Sequence, residues 1–175
     1  SSKGSSAIVW RELAEYFKDT NANAGIGLPY VTNVLLSNEE LFLNKIEAHI
    51  MKNELNLANA EMEYFFATRT TGYNPTTDKV TEAKIVAKYP VITDEYTPFY
   101  SLTPVQASYI KAVAELRRIE FIHEGLRWFD IKRFNLKVTH KIYNKPNNVL
   151  EKDDLRRAIQ IPFYVTDTGV EKNPR

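Results

Sequence analysis

Cysteine is absent from this 175-residue chain. That excludes disulfide staples, thiolate catalysis and cysteine-ligated zinc, and it leaves the compartment open. No apolar run approaches the roughly 20 residues of a membrane-spanning helix. No signal peptide is visible, because Ser1 to Ser6 are small and polar, and there is no initiator methionine. The chain therefore reads as part of a longer protein. Charge of one sign is not in excess: 23 Lys plus Arg face 22 Asp plus Glu, a net charge of +1 that gives no reason to expect nucleic acid or an anionic membrane. Apolar residues at 43% and charged residues at 26% are globular values, so wholesale disorder is excluded. Rings are plentiful, with 10 Tyr, 9 Phe and 2 Trp available for a core, an interface or a ligand platform.

Along the chain, residues 7–36 fit two descriptions. Ile8, Val9, Leu13, Tyr16 and Phe17 suit a helix. Yet Asn21 to Gly27 reads as a loop and Leu28 to Leu36 is β-branched and apolar, so a hairpin across the loop fits equally. Ser37 followed by Glu40 is a capping box, and Phe42, Ile46 and Ile50 then recur at helical spacing to a predicted end near Asn53. Ala58, Met62, Phe65 and Phe66 share one face of a second helix. The short connection makes an antiparallel helical hairpin over 37–70. Its size is that of one tetratricopeptide unit, although the repeat's sequence signature is missing.

Residues 71–102 form a loop-rich excursion punctuated by Gly72, Pro75, Pro90 and Pro98, with a short extended piece expected over Lys84–Tyr89. Loops of this length in a compact domain are usually functional. Its rings include Tyr73, Tyr96, Phe99 and Tyr100. Exposed rings stack on the apolar faces of sugars, and the same rings can pin a loop to the helices below; for any single ring the packing role is favoured. Thr103, Pro104 and Gln106 then open another helix by a capping box with proline at its first position. Its expected seam is Tyr109, Ala112, Leu116 and Ile119, and the helical pattern continues over 103–134 with a break at Gly125. In the C-terminal segment, 135–175, Lys137–Tyr143 alternates like a strand and Pro146 centres a turn.

The densest charge pattern is Arg117, Arg118, Glu120, Glu124, Arg127, Asp130 and Arg133, interleaved with Phe121, Ile122, Trp128 and Phe129. Glu120 and Glu124 lie one turn apart, and paired carboxylates are what glycoside hydrolysis uses. Both sit on one helix, however, whereas a glycosidase places them on opposite sides of the scissile bond. Arg117 stands three residues before Glu120, and Arg127 three after Glu124, so each acid has a nearby base. A partly buried ion-pair network holding helices in register is favoured over catalysis. His123-Glu124 begins like a zinc-protease helix, but Arg127 occupies the second histidine position. His49 and His140 bring no acidic cluster, so no metal site is expected. Gly25 and Gly27 are too few for a phosphate loop, no serine sits in a nucleophile elbow, and Asn74 precedes Pro75, which removes a glycosylation sequon.

Arg117-Arg118-Ile119-Glu120, Glu124-Gly125 and Arg127-Trp128-Phe129-Asp130-Ile131-Lys132-Arg133 resemble the C-terminal signature of the SusD/RagB family, E-R-R-x-E-L followed by E-G-x-R-W-x-D-L-x-R-W. Arg156 to Pro162 and Glu171 to Pro174 resemble its closing R-x-x-x-Q-I-P and Q-N-P. Glu39 to Ala48 resembles its E-x-x-L-x-x-A-E-A helix. Leu116 stands where the family usually has Glu, and Phe134 where it has Trp. The resemblance implies a mainly α fold of tetratricopeptide-like helix pairs with long loop-rich excursions and minor short strands. It implies a non-enzymatic, cofactor-free protein that binds oligosaccharides, or peptides in RagB-like members, and delivers them to a SusC-like TonB-dependent transporter. It also implies an outer-membrane position on the extracellular face, through an N-terminal lipidated cysteine that this chain lacks. The chain would then be the C-terminal portion of a longer SusD-like domain, with much of the family's ligand site upstream. Tyr73, Tyr96, Phe99 and Tyr100 are ligand-site candidates from the residues alone. A helical adaptor docking only to protein is the alternative of a different class.

Overall fold

Thr103 and Gln106 show how local chemistry places the largest element. The Thr103 hydroxyl accepts the Gln106 N–H at 3.2 Å, and the Gln106 side chain accepts the Thr103 N–H at 3.0 Å. This reciprocal box, with Pro104 at the first helical position, starts a helix of 17 residues. The computed structural model describes residues 14–21, 23, 26–32 and 36–174. Its elements run β1 (Ala14–Asn21), β2 (Ile26–Thr32), α1 (Asn38–Met51), α2 (Leu55–Arg69), α3 (Glu82–Lys88), α4 (Pro104–Glu120), α5 (Arg127–Arg133), β3 (Val138–His140), β4 (Asn148–Leu150), a 3₁₀ turn (Leu155–Arg157) and α6 (Phe163–Thr166). The fold is mainly α, as the sequence predicts.

The chain divides into two compact units, Ser1–Leu41 and Phe42–Arg175. The first holds an antiparallel hairpin in which Ala14 faces Thr32 and Phe17 faces Pro29, with an irregularity between Asp19 and Asn21. A proline is tolerated there because each strand of a two-stranded sheet has a free edge. Of the two descriptions of this segment, strands are the outcome for 14–21 and 26–32; Ile8, Val9 and Leu13 lie outside the described residues. Ser37 accepts the Glu40 N–H and opens α1.

The second unit is built on α1, α2 and α4. Helix α1 stops where Asn53 takes a φ of 60°, with Glu54 N–H bonded to His49 O and Asn53 N–H to Ile50 O, the paired bonds of a Schellman cap. The chain then turns directly into α2. Phe42 meets Tyr64 and Phe65 at ring-centre distances of 5.6 and 6.3 Å, which sets the two helices antiparallel. Helix α4 lies against both. Gln106 donates to Ile50 O at 3.0 Å, and the Tyr109 hydroxyl donates to Asn59 at 2.8 Å. Leu43, Ile46 and Ile50 of α1, Ala58, Met62 and Phe65 of α2, and Tyr109, Ile110, Ala112 and Val113 of α4 form one core. At roughly 25 cal/mol per Å² of apolar surface, this core is the main stabilising term of the unit.

The break expected at Gly125 is present, and three other expectations need correction. Lys84–Tyr89 is not extended: α3 spans Glu82–Lys88, started by Thr81, whose hydroxyl accepts the Lys84 N–H, and closed ahead of Pro90. The helix after Thr103 ends at Glu120, ahead of Gly125. Residues 121–126 form a turn, with both His123 (φ 71°) and Gly125 (φ 78°) in the left-handed region, before α5 begins. Ile119 is 59% exposed, since Arg117 rather than Ile119 turns inward at this end of α4. The strand expected over Lys137–Tyr143 is shorter, β3 pairing with β4 from Val138 opposite Leu150 to His140 opposite Asn148.

Candidate functional site

Asp130 is 1% exposed and meets three arginines. Arg133 Nε donates to its Oδ1 at 3.0 Å, Arg117 Nε lies 3.6 Å from the same oxygen, and Arg127 lies 3.8 Å from Oδ2. Arg133 also forks onto Glu47 of α1, at 2.5 and 2.7 Å, and Arg117 donates to Asn44 of α1 at 2.7 Å. The cluster thus ties α1, α4 and α5 together. Burial works against the Arg133 charge, but Glu47 and then Asp130 hold its pKa above the usual guanidinium range. Phe134 and Phe121 lie beneath Arg133 and Arg117, at 4.3 and 5.5 Å from ring centre to guanidinium carbon.

The partners differ from those spacing suggests. Glu120 is gripped by Arg69 of α2, whose Nε and Nη2 both donate to it at 2.9–3.0 Å. Arg127 reaches Asp130 and donates to Ala114 O at 3.4 Å. Glu124 is exposed on the turn after α4, and the side chain of Trp128 is half-buried on α5. Arg118 points outward and pairs with Glu115 at 2.8 and 2.5 Å. Glu120 belongs to the α2–α4 contact and Glu124 to a turn, so they do not form a facing carboxylate pair. Among the described residues no three His, Cys, Asp or Glu side chains group as a metal site.

The closing segment is tied back in the same way. Arg157 is buried and donates to the carbonyls of Glu151 (2.9 Å), Ile131 (3.2 Å) and Leu136. Gln160 Oε1 accepts the Asn173 N–H at 2.9 Å, and Asn173 Nδ2 donates to Ile159 O at 2.7 Å. The two halves of the C-terminal motif, around Gln160 and Asn173, are therefore hydrogen-bonded to each other.

The four loop aromatics separate. Tyr96 is wedged against Phe134 with ring centres 5.3 Å apart, and burial raises its phenol pKa. Tyr100 is half-buried near Glu47 and Arg133, its pKa raised by burial first and by Glu47 second. Tyr73 is half-buried with its hydroxyl out of water, and burial, then Glu63 and Asp78, raise its pKa. Phe99 alone stands clear, 96% exposed, edge-on to Tyr100 at 5.0 Å. The loop beneath it is fastened. Lys111 of α4 grips Glu95 and donates to Pro90 O at 2.7 Å. Lys152 grips Asp94 O and donates to the Thr97 hydroxyl at 3.0 Å, and Thr97 N–H bonds to Phe134 O at 3.0 Å. Sequence reasoning missed both lysines, because nothing local marks a partner tens of residues away.

A family model described as the SusD family matches residues 40–169. The chain belongs to the SusD family. Searches of the curated proteins and of the solved structures return no match. The matched span runs from α1 through α6 and so contains the Asp130 cluster, the fastened loop and Gln160. SusD-family proteins are cell-surface, nutrient-binding lipoproteins and generally not enzymes.

Proposed function

We propose that the protein binds oligosaccharide at the outer face of the bacterial outer membrane and passes it, unaltered, to a SusC-like TonB-dependent transporter. In this reading residues 37–70, 71–102, 103–134 and 135–175 are successive parts of the C-terminal portion of a SusD-like domain, and the lipid anchor belongs to sequence upstream. The observation that carries the glycan reading is Phe99. Its ring is nearly fully exposed, and it projects from a loop held by Lys111, Lys152 and Thr97. A fixed ring face suits stacking on the C–H face of a sugar, since little conformational entropy is lost on binding. Tyr100 supports the ring edge-on, while Tyr96 and Tyr73 serve as packing.

Calorimetric titration of the chain against a panel of oligosaccharides and peptides tests this. Binding heat from a glycan is expected, and Phe99→Ala should weaken it about tenfold or more with an unchanged melting temperature. Heat from peptides alone would move the protein to the RagB-like reading. Silence throughout would favour an adaptor that docks only to protein.

A further inference from the structure

A cavity of about 190 Å³ opens between α2, α3 and α4. Its interior is apolar: Met62 and Phe66 come from α2, Ile85 from α3, and Ala112 and Leu116 from α4. Ala112 lines the space with a single methyl group. The rim has the opposite character. Lys79, Lys84 and Lys88 line it, and none of them forms an ion pair among the described residues. The Lys84 ammonium is held in place by Thr77 O at 2.9 Å and Lys79 O at 2.8 Å, which leaves one of its three N–H groups uncommitted. The Lys88 ammonium lies 5.5 Å from the Tyr89 ring centre. One acid, Asp78, shares the rim; it accepts the Asn74 N–H at 2.9 Å and the Thr77 hydroxyl at 3.1 Å and keeps its charge beside Lys84, so the lining carries three cations against one anion. The mouth is therefore cationic over an apolar interior.

We propose that this cavity binds a small amphiphilic carboxylate, an apolar body of about six to eight carbons ending in one anionic group. The volume decides the size. Sites for whole drug-sized ligands run to roughly 300 Å³ and above, whereas an apolar cavity of about 150 Å³ holds a benzene ring. The space is too small and too apolar for an oligosaccharide, so this site is separate from the Phe99 loop. The carboxylate pairs with the uncommitted lysine N–H groups, and the hydrocarbon replaces interior space that water would occupy at a cost. A short fatty acid and the apolar C-terminal residue of a peptide share this chemistry.

Titration of the full chain with octanoate, octan-1-ol, octylammonium and N-acetylphenylalanine tests the assignment. Octanoate should saturate one site about tenfold more tightly than octanol, and octylammonium should not compete. N-acetylphenylalanine binding more tightly than octanoate would assign the site to peptide C-termini; the reverse order would assign it to fatty acids. The exposed triple variant Lys79→Gln/Lys84→Gln/Lys88→Gln should lose most of that tenfold preference while still binding octan-1-ol as the unsubstituted chain does. Ala112→Leu, which extends into the cavity, should abolish binding of both acids. Equal affinity for octanoate and octanol, an unaffected lysine variant, or no binding by either acid would overturn the proposal. None of these outcomes bears on glycan binding at Phe99.

Discussion

Adjacent residues of the family motif carry different weight. Arg117 is buried between Asn44 and Asp130, whereas Arg118 sits on the surface beside Glu115. Removing one member of a buried charge cluster strands the others without water, and the cost is set by the charges left behind. Asp130→Asn leaves Arg117 and Arg133 facing a neutral amide. It should lower unfolding free energy by about 3 kcal/mol, read as a shifted midpoint in urea with an unchanged slope. Arg118→Ala breaks only an exposed pair and should cost roughly 0.5 kcal/mol or less. If the two variants unfold at the same urea concentration, the cluster around Asp130 is not what holds α1, α4 and α5 together.

At the scale of elements, legibility followed length and local chemistry. Helices α1, α2 and α4 run 14 to 17 residues, enough for a 3.6-residue period to repeat, and the boxes at Ser37 and Thr103 mark two of their starts. Helix α3 has seven residues and buries only Ile85, so no period could appear, and its neighbouring prolines suggested an extended chain instead. Its one local signal was Thr81 ahead of Glu82. Helix α3 also covers the apolar cavity, so its cap has a consequence beyond α3 itself. Thr81→Ala removes the acceptor for the Lys84 N–H and should cost about 1 kcal/mol. Amide exchange should speed up over Ile85–Tyr89 while the α4 amides keep their protection. Equal acceleration in both elements would mean that α3 does not open on its own.

The molecule as a whole shows why a motif can be read where a site cannot. The signature residues lie close together in sequence, but the contacts that complete them do not. Glu47 to Arg133, Arg69 to Glu120 and Lys111 to Glu95 join separate elements across long stretches of chain, and no spacing rule reaches that far. Other acids, paired with neighbours a few residues away, set the response to acid. Glu54 is held below the usual carboxylate range by Lys52 and His49, Glu115 by Arg118, and Asp78 by the Asn74 amide. Asp154 is lowered to about 2 by Arg156 and its backbone N–H. Each depressed group binds its proton more readily unfolded than folded. Its contribution is therefore complete above the unfolded value and is lost as pH falls through the folded one. The melting temperature should be level near neutrality and fall between about pH 5 and pH 2. High salt should shrink that fall, because these groups sit at the surface and are screened. Asp154→Asn should remove the lowest-pH part of the slope and leave the rest. A melting temperature that stays constant down to pH 2, or that rises on acidification, would show that these carboxylates have no net stabilising partners in the folded chain.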